Sequence, residues 1–309
     1  MDKGRKVLIT GSSGTIGTAL CEELMRSGYE VTGVDLRHNR WSEIVNAATL
    51  ICDLRARSFF DLLPKDFDVV IHLAANARVL YTVIDPALAR DNLEMVFNVL
   101  EFSRLSNVRR SVFASSREVY GDPEKVSFRE DEVTLRDCRS PYAATKLAAE
   151  ALVAAYHHCY GIAPIVLRFS NVYGKYDDSD RVIPLFIRQA WKGEDLTVFG
   201  KEKLLDFTYI SDCISGIMKC IQRFDEVRGN VFNIASGKST TLVQLASKIQ
   251  NAVGARGKII VKEGRAGEAT KFVADISRAK ELLDYEARVS LEDGIDRTIR
   301  WYKDVDGLS

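Results

Sequence analysis

A tyrosine and a lysine four residues apart, Tyr142 and Lys146, are the side chains of this sequence best suited to acid–base chemistry. They stand at the start of an alanine-rich apolar run, and residues i and i+4 share one face of a helix. A nearby ammonium group lowers the pKa of a phenol because it stabilises the phenolate. The spacing therefore predicts that Tyr142 acts as a base near neutral pH. Since any long helix offers such pairs by chance, the residues upstream decide how the pair is interpreted.

A glycine-rich turn near the start of the chain, at residues 11–17, predicts a dinucleotide site. Gly11 permits a tight turn, Gly14 lets the backbone approach a pyrophosphate, and Gly17 lets helix and strand pack closely. The turn separates an apolar strand from a helix, and the first N–H groups of that helix, around Thr15 and Ile16, can bind phosphates.

An acidic residue, Asp35, ends the second predicted strand. A carboxylate at this place can hold the diol of a ribose and repels a 2′-phosphate, which favours NAD over NADP. Arg37, two residues later, keeps the phosphorylated form open. Asp53 and Leu54, after the third strand, are expected to contact adenine, and the alternative for Asp53 is a simple strand-end cap.

The composition excludes several classes of protein. The 43 basic and 43 acidic residues among 309 cancel, so neither nucleic acid nor a membrane surface is an expected partner. The six cysteines have no CxxC or ligand spacing, which predicts free thiols in a reducing cytoplasm and no metal site. Neither a signal peptide nor a membrane-spanning apolar run is expected.

Apolar strands alternate with helices through the first half of the chain. The predicted strands are 6–10, 29–35, 50–53, 69–73, 111–114 and 165–169, and the predicted helices are 16–27, 92–105 and 142–160. This alternation indicates an α/β fold with a doubly wound parallel (Rossmann) sheet. After Asn171 the rhythm breaks down, which predicts a smaller, mixed C-terminal substrate domain.

The expected domain boundaries follow from that break. We predict that residues 1–170 form the NAD-binding domain and are rejoined by about 206–233, while 171–205 and 234–309 form the substrate domain. In this scheme the apolar segment 207–210 could return to the main sheet.

The segment 114–121 follows a predicted strand on the side of a doubly wound sheet where ligands bind. Ser116 in this segment can donate to a substrate oxygen and share the proton that moves to Tyr142. With these residues the chain resembles the extended short-chain dehydrogenase/reductase family, and within it the nucleotide-sugar epimerases and dehydratases. The resemblance covers nearly the whole chain and rests on Gly11-x-x-Gly14-x-x-Gly17, His72-Leu-Ala-Ala75, Asn92, Ser116-x-x-Val-Tyr-Gly121, Tyr142-x-x-x-Lys146, Asn171-Val-Tyr-Gly174, Asp206-Phe-Thr-Tyr-Ile210-x-Asp212 and Arg265-Ala-Gly-Glu268.

The resemblance implies a role for each matching position. It makes Ser116, Tyr142 and Lys146 the catalytic residues, with Lys146 also binding the nicotinamide ribose. The residues that it implies for the NAD site, beyond the glycine turn, are Leu73, Ala74, Ala75, Asn92 and Ser115. The residues that it implies around the nucleotide sugar are Ser116, Arg117, Asn171, Val198, Phe199 and Arg265. It also implies a homodimer in which helices 92–105 and 142–160 pair with their mates.

The implied chemistry begins when Tyr142 takes the proton of the sugar 4-hydroxyl while hydride leaves C4 for the nicotinamide. Hydride return to the other face of the 4-keto sugar inverts C4, whereas loss of the C5 proton leads to elimination of water. Related dehydratases often carry an Asp-Glu pair where this chain has Arg117 and Glu118. Arginine cannot supply the acid, but Glu118 keeps a dehydratase open, with an ion pair as its structural alternative.

We therefore predict an NAD-dependent 4-epimerase of a UDP-sugar, with a hexose, hexosamine or uronate as its substrate. Arg181, on a polar loop, could face the sugar, where a uronate carboxylate would suit it, or could be an ordinary surface arginine. The alternative function is a nucleotide-sugar dehydratase that uses Glu118 as the C5 base. A non-catalytic dinucleotide sensor is disfavoured because Ser116, Tyr142 and Lys146 are all present.

Overall fold

Strands are distributed along the whole chain in the computed structural model, which describes residues 4–121, 125–264 and 271–306. In chain order these strands are β1 (Lys6–Thr10), β2 (Glu30–Asp35), β3 (Thr49–Ile51), β4 (Val69–His72), β5 (Arg110–Ser116), β6 (Ser127–Phe128), β7 (Ala163–Phe169), β8 (Asn171–Tyr173), β9 (Leu196–Phe199), β10 (Leu204–Tyr209), β11 (Val231–Ile234), β12 (Ser239–Thr241), β13 (Ile259–Lys262) and β14 (Val273–Ala274).

Helices connect these strands. They are α1 (Thr15–Arg26), α2 (Glu43–Ala47), α3 (Phe59–Leu62), α4 (Val79–Ile84), α5 (Ala87–Leu105), α6 (Pro141–Tyr160), α7 (Val182–Trp191), α8 (Ile210–Gln222), α9 (Phe224–Val227), α10 (Leu242–Val253), α11 (Ser277–Leu283) and α12 (Leu291–Asp306). Within the described ranges, no helix is long and apolar enough to cross a membrane.

The central sheet confirms the predicted doubly wound arrangement. Seven parallel strands follow the order β11-β7-β5-β4-β1-β2-β3, so the strand order reverses between β1 and β4. The central strands are buried along nearly their whole length because helices cover both faces of a parallel sheet. Ligands of such folds bind at the carboxyl edge where the order reverses, which is where β1 gives way to the glycine turn.

The catalytic helix begins where the sequence supplies a strong start signal. Ser140 is the N-cap of α6, and its Oγ accepts a 3.1 Å hydrogen bond from the N–H of Ala143. Pro141 occupies the first helical position, where its missing N–H costs nothing, and Gly161 ends the helix in the left-handed conformation. These signals place Tyr142 in the first turn and Lys146 one turn later, on the same face.

Helix α5 starts earlier than predicted. We expected it to begin at residue 92, but it begins at Ala87, directly after Pro86. The carboxylate of Asp85 accepts a 3.0 Å hydrogen bond from the N–H of Ala87, so the aspartate serves the first turn although it lies outside the helix.

The predicted return of segment 207–210 to the main sheet is wrong. Residues 207–209 belong to β10, which lies in a separate three-stranded sheet of order β12-β10-β8. The strand that joins the main sheet is β11, which pairs in parallel with β7. Helices α8 and α9 connect the two strands, so the chain passes from the centre of the small sheet at β10 to the edge of the main sheet at β11.

Candidate active site

One cleft runs along the carboxyl edge of the main sheet, with a volume of about 820 Å³. Its walls combine the glycine turn, the ends of β2, β4 and β5, the first turn of α6, and residues of β8, β9 and the loop before α7. The residues predicted for the cofactor and those predicted for the sugar therefore share a single continuous space.

The glycine turn is shaped by close backbone contacts. Gly11 has φ +76°, and a Cβ at this position would lie 2.8 Å from the backbone nitrogen of Ala74. At Gly17 a Cβ would overlap the carbonyl of Gly11, so the helix can approach the turn only without a side chain. Gly14 differs, because it is exposed to the cleft and a Cβ there would meet only the carbonyl of Gly11, at 3.3 Å. A bare backbone at Gly14 leaves room for a ligand group beside it.

The start of α1 is available to an anion. The helix has Gly14 as its N-cap, with no side-chain cap and no acidic residue in its first turn. Thr15 and Ile16, its first two residues, both line the cleft. Uncapped N–H groups and the positive end of the helix dipole suit a pyrophosphate, so these residues fit a dinucleotide.

Asp35 lies at the end of β2 with its carboxylate held in place. Its Oδ2 accepts from the N–H of Ser13 at 3.0 Å, and its Oδ1 accepts from the N–H of Arg37 at 3.1 Å. Both Asp35 and Arg37 line the cleft. The carboxylate therefore links the glycine turn to β2 and remains accessible to a ribose diol.

The structure separates the two residues predicted to contact adenine. Leu54 lines the cleft, together with Cys52. Asp53 lies outside the lining and binds Arg55, whose guanidinium Nη2 lies 2.6 Å from Asp53 Oδ2. The Arg55 side chain lowers the pKa of the Asp53 carboxyl. Asp53 therefore forms an ion pair at the end of the strand and does not line the cleft, which agrees with the alternative of a strand-end cap.

Leu73, Ala74 and Ala75 line the cleft, whereas Asn92 does not and contacts it only through Asn76. Its Oδ1 accepts from the N–H of Asn76 at 2.7 Å, and its Nδ2 donates to the Asn76 carbonyl at 3.3 Å. Asn76 lines the cleft whereas Asn92 is buried. The predicted contact at Asn92 is thus a support for Asn76, which sequence reasoning missed.

Ser116, Tyr142 and Lys146 meet at the centre of the cleft. The Ser116 hydroxyl acts on the Tyr142 phenol and lowers its pKa, although burial raises that pKa more. Lys146 Nζ donates a 2.7 Å hydrogen bond to the carbonyl of Ala114 and lies 5.8 Å from the centroid of the Tyr142 ring. The end of β5 and the first turns of α6 therefore bring a hydroxyl, a phenol and an ammonium group together.

Burial controls the electrostatics of this centre. It raises the pKa of Tyr142 to about 12, against smaller lowering contributions from the Ser116 hydroxyl and the charge of Arg181. Burial also lowers the pKa of Lys146 to about 8, and the charge of Glu150 opposes that shift. The spacing to Lys146 does not by itself bring Tyr142 near neutrality, since the buried phenol lacks the solvation that a phenolate needs.

A short 3₁₀ turn, Arg117–Tyr120, follows Ser116 and brings Arg117 and Glu118 into the lining. Ser116 Oγ accepts from the N–H of Glu118 at 3.2 Å, which fixes the start of the turn. The Arg117 Nη2 lies 2.7 Å from Glu118 Oε1, and both residues are 8% exposed. Arg117 Nη1 is buried and has no hydrogen-bond partner among residues 4–121, 125–264 and 271–306.

The remaining residues predicted for the nucleotide sugar are divided by the structure. Asn171, Arg181 and Phe199 line the cleft, as does Ser115 from the cofactor set. Val198 does not, because side chains alternate along β9 and Val198 is fully buried in the core. Thr197, on the Phe199 side of β9, takes a place in the lining that sequence reasoning missed. Arg265 lies outside the described residues.

A loop of residues 175–181, which we call the strap, lines the cleft from Tyr176 onward and contacts two other parts of its wall. The Tyr176 carbonyl accepts from Thr15 Oγ1 at 3.1 Å, at the start of α1. Asp180 accepts from Tyr81 Oη at 2.9 Å and forms an ion pair with Arg78, 2.5 Å away. The strap is therefore hydrogen-bonded both to the start of α1 and to α4.

Helix α12 also supports the wall of the cleft through aromatic contacts. Trp301 of α12 packs edge-on against Trp41, with ring centroids 5.1 Å apart, and against Tyr176 at 5.8 Å. Trp41 and Tyr176 both line the cleft. Residues that are 260 positions apart in the chain thus form one wall, a relationship that no local pattern reveals.

Comparison with known proteins agrees with this geometry. The model of the NAD dependent epimerase/dehydratase family matches residues 7–235. An uncharacterized UDP-glucose epimerase of Bacillus subtilis is 33% identical over 312 residues, which cover 96% of this chain and 97% of that protein.

Solved structures agree over the whole fold. The UDP-glucose 4-epimerase of Thermotoga maritima, solved with UDP-glucose, superposes with a TM-score of 0.89 at 28% identity, covering 97% of this chain and 99% of that one. The UDP-glucuronic acid 4-epimerase of Bacillus cereus, in complex with UDP-glucuronic acid and NAD, gives a TM-score of 0.89 at 30% identity, with the same coverage of 97% and 99%. The predicted resemblance and the predicted cofactor, NAD, are confirmed: the chain belongs to the NAD-dependent epimerase/dehydratase family.

Proposed function

We propose that the protein is an NAD-dependent 4-epimerase of a UDP-sugar. The observation that carries the proposal is the meeting of Ser116, Tyr142 and Lys146 in the same cleft as the glycine turn and Asp35. An acid–base group beside a dinucleotide site is the arrangement that reversible oxidation of an alcohol requires. The similar UDP-sugar epimerases support a nucleotide sugar as the alcohol.

Each side chain has a part in the proposed reaction. The glycine turn and Asp35 bind NAD, which supplies a hydride acceptor for C4 when it is bound. Tyr142 takes the proton of the 4-hydroxyl, and the Ser116 hydroxyl orients that oxygen. Lys146 adds positive charge beside the phenol, and it must remain protonated to do so. Rotation of the 4-keto sugar then lets hydride return to the other face.

The Arg117–Glu118 ion pair favours epimerisation over dehydration. A dehydratase needs a free carboxylate to remove the C5 proton, but one Glu118 oxygen already accepts from Arg117 at 2.7 Å. The dehydratase is the second candidate function, and it is supported by the position of Glu118 in the lining of the cleft.

The deciding experiment is product analysis. The protein is incubated separately with UDP-glucose, UDP-N-acetylglucosamine and UDP-glucuronate, and the products are resolved by proton NMR. We expect the 4-epimer of at least one substrate, identified by the changed H3–H4 and H4–H5 couplings. A 4-keto-6-deoxy product would establish the dehydratase instead, and the absence of any product would refute both functions.

The same proposal includes the organisation of the protein. Residues 1–170 serve NAD and are rejoined by the part of 206–233 that follows β10, while 171–205 with 234–309 serve the nucleotide sugar. An apolar patch of α5 and α6, centred on Leu93, Phe97 and Leu152, supports a homodimer through these helices. All six cysteines are free thiols, which supports a reducing compartment such as the cytoplasm.

A further inference from the structure

The guanidinium groups of Arg117 and Arg181 line the cleft that contains Tyr142, and both have N–H donors without a partner in the described ranges. Arg117 is more than nine-tenths buried, and its Nη2 binds Glu118 while its Nη1 has no partner in the described part of the chain. The guanidinium also lies 5.5 Å from the centroid of the Phe272 ring, which fixes its position from behind. A buried N–H without an acceptor costs free energy, so this donor is suited to a ligand atom.

Arg181 adds a second cation at the same place. It directly precedes α7 and lines the cleft, and no residue in the described ranges pairs with its side chain. Arg117, Glu118 and Arg181 line the same cleft as Tyr142, and their charges all act on its phenol. Two guanidinium groups and one carboxylate leave an excess of one positive charge among these three side chains.

The position of Tyr142 identifies the part of the sugar that faces these cations. In the proposed reaction its oxygen acts at the 4-hydroxyl, and C6 is attached to C5, the neighbour of C4. The diphosphate is attached to C1, on the opposite side of the ring from C4. A group that is close to Tyr142 is therefore better placed for a substituent at C6 than for the diphosphate.

We propose that the substrate is a UDP-uronate, whose C6 carboxylate binds Arg117 Nη1 and the Arg181 guanidinium. This inference rests on the proposed 4-epimerase function and specifies its substrate class. A neutral C6 hydroxymethyl group can accept one hydrogen bond from Arg117 but leaves the excess positive charge without a partner. A carboxylate offers two acceptor oxygens and balances that charge.

The experiment compares kcat/KM for UDP-glucuronate with kcat/KM for UDP-glucose. We expect the wild-type ratio to favour UDP-glucuronate by about 10- to 150-fold, the range that corresponds to a hydrogen bond with a charged group. Arg181→Met is expected to lower this ratio by a similar factor. Arg228→Met, at an exposed arginine outside the cleft, is the matched control and should leave the ratio unchanged.

Arg117 requires a different variant because its removal leaves Glu118 buried and unpaired, which can prevent folding. The double variant Arg117→Gln with Glu118→Gln removes both charges and keeps two amides that can bond to each other. We expect it to lower the same ratio by about 10- to 150-fold.

Each outcome has a distinct meaning. A wild-type enzyme that epimerises UDP-glucose with the higher kcat/KM overturns the uronate assignment and leaves the epimerase proposal standing. An equal loss on both substrates in Arg181→Met also overturns the assignment, since the guanidinium then serves the diphosphate common to both. If UDP-N-acetylglucosamine alone is epimerised, only the uronate assignment fails. If none of the three UDP-sugars yields a 4-epimer, the proposed function itself fails together with the inference.

Discussion

Arg168 and Glu150 form a buried ion pair behind the cleft, with Arg168 Nη2 2.7 Å from Glu150 Oε2. Glu150 also accepts from Ser115 Oγ at 2.5 Å, and it follows Lys146 by one turn of α6. The pair therefore joins β5, β7 and the catalytic helix. Because the Glu150 charge raises the pKa of Lys146, the pair also bears on the protonation of the lysine.

We predict that Glu150→Gln lowers the pH at which kcat/KM begins to fall on the alkaline side of its profile. Lys146 must stay protonated, and its pKa of about 8 means that activity falls as the pH rises through that value. Loss of the Glu150 charge lowers the pKa further, so the decline should begin at a lower pH. The groups facing Lys146 are Tyr142 and Glu150 of α6 and His72 of β4, a neutral residue whose pKa burial lowers to about 3.

The pH dependence of kcat/KM measures this effect. Glu281→Gln, at an exposed glutamate of α11, is the control and should reproduce the wild-type profile. If the folded Glu150→Gln protein keeps the wild-type alkaline limb, Glu150 does not affect the protonation of Lys146.

Tyr142→Phe should abolish turnover and leave NAD in place. The variant keeps the buried ring and removes only the oxygen that takes the proton, a loss of about 10²- to 10⁴-fold in kcat for a general base. The NAD content of the purified protein, measured after denaturation, tests the second half of the prediction. Tyr160→Phe, at the exposed end of the same helix, is the control. Residual activity near the wild-type level in Tyr142→Phe would assign proton transfer to another group.

Gly17→Ala should destabilise the fold and reduce the NAD content. The new Cβ would overlap the carbonyl of Gly11, so the turn and α1 must move apart, at about 1–3 kcal/mol for an overpacked site. Thermal unfolding followed by circular dichroism measures the stability. Gly264→Ala is the control, because the nearest atom to its Cβ would be 3.9 Å away. Equal unfolding temperatures for the two variants would refute the steric argument.

Phe97→Glu should convert the proposed homodimer into a monomer. Phe97 is 43% exposed in the apolar patch of α5 and α6, and a carboxylate there cannot be buried against a second copy without a partner. Light scattering coupled to size exclusion gives the mass of each form. Ile44→Glu, 60% exposed on α2, controls for added charge. A wild-type protein that is already monomeric would remove the dimer from the proposal.

Local patterns in the sequence predicted what depends on local structure. The glycine turn and the start of α6 are determined by residues next to one another, as the Ser140 cap and Pro141 show. The main sheet followed from alternating strands and helices in the same way. Sheet membership of β10 and β11 did not, since both are short apolar strands and only their long-range partners distinguish them.

Features that depend on tertiary contacts could not be predicted. The high pKa of Tyr142 arises from burial by several elements, which the spacing to Lys146 does not contain. Asn76 enters the lining through its hydrogen bonds to Asn92, sixteen residues away. The position of the strap depends on its contacts with Thr15 and Arg78, on distant segments of the chain.

The contact between Trp41 and Trp301 gives the cleft an intrinsic optical signal. Indole emission overlaps the absorption of a reduced nicotinamide, and Trp41 lines the space in which the dinucleotide is expected. We therefore expect tryptophan fluorescence to be quenched when NADH enters the cleft and restored when it leaves. Loading, exchange and release of the cofactor can then be followed in real time on the unlabelled protein.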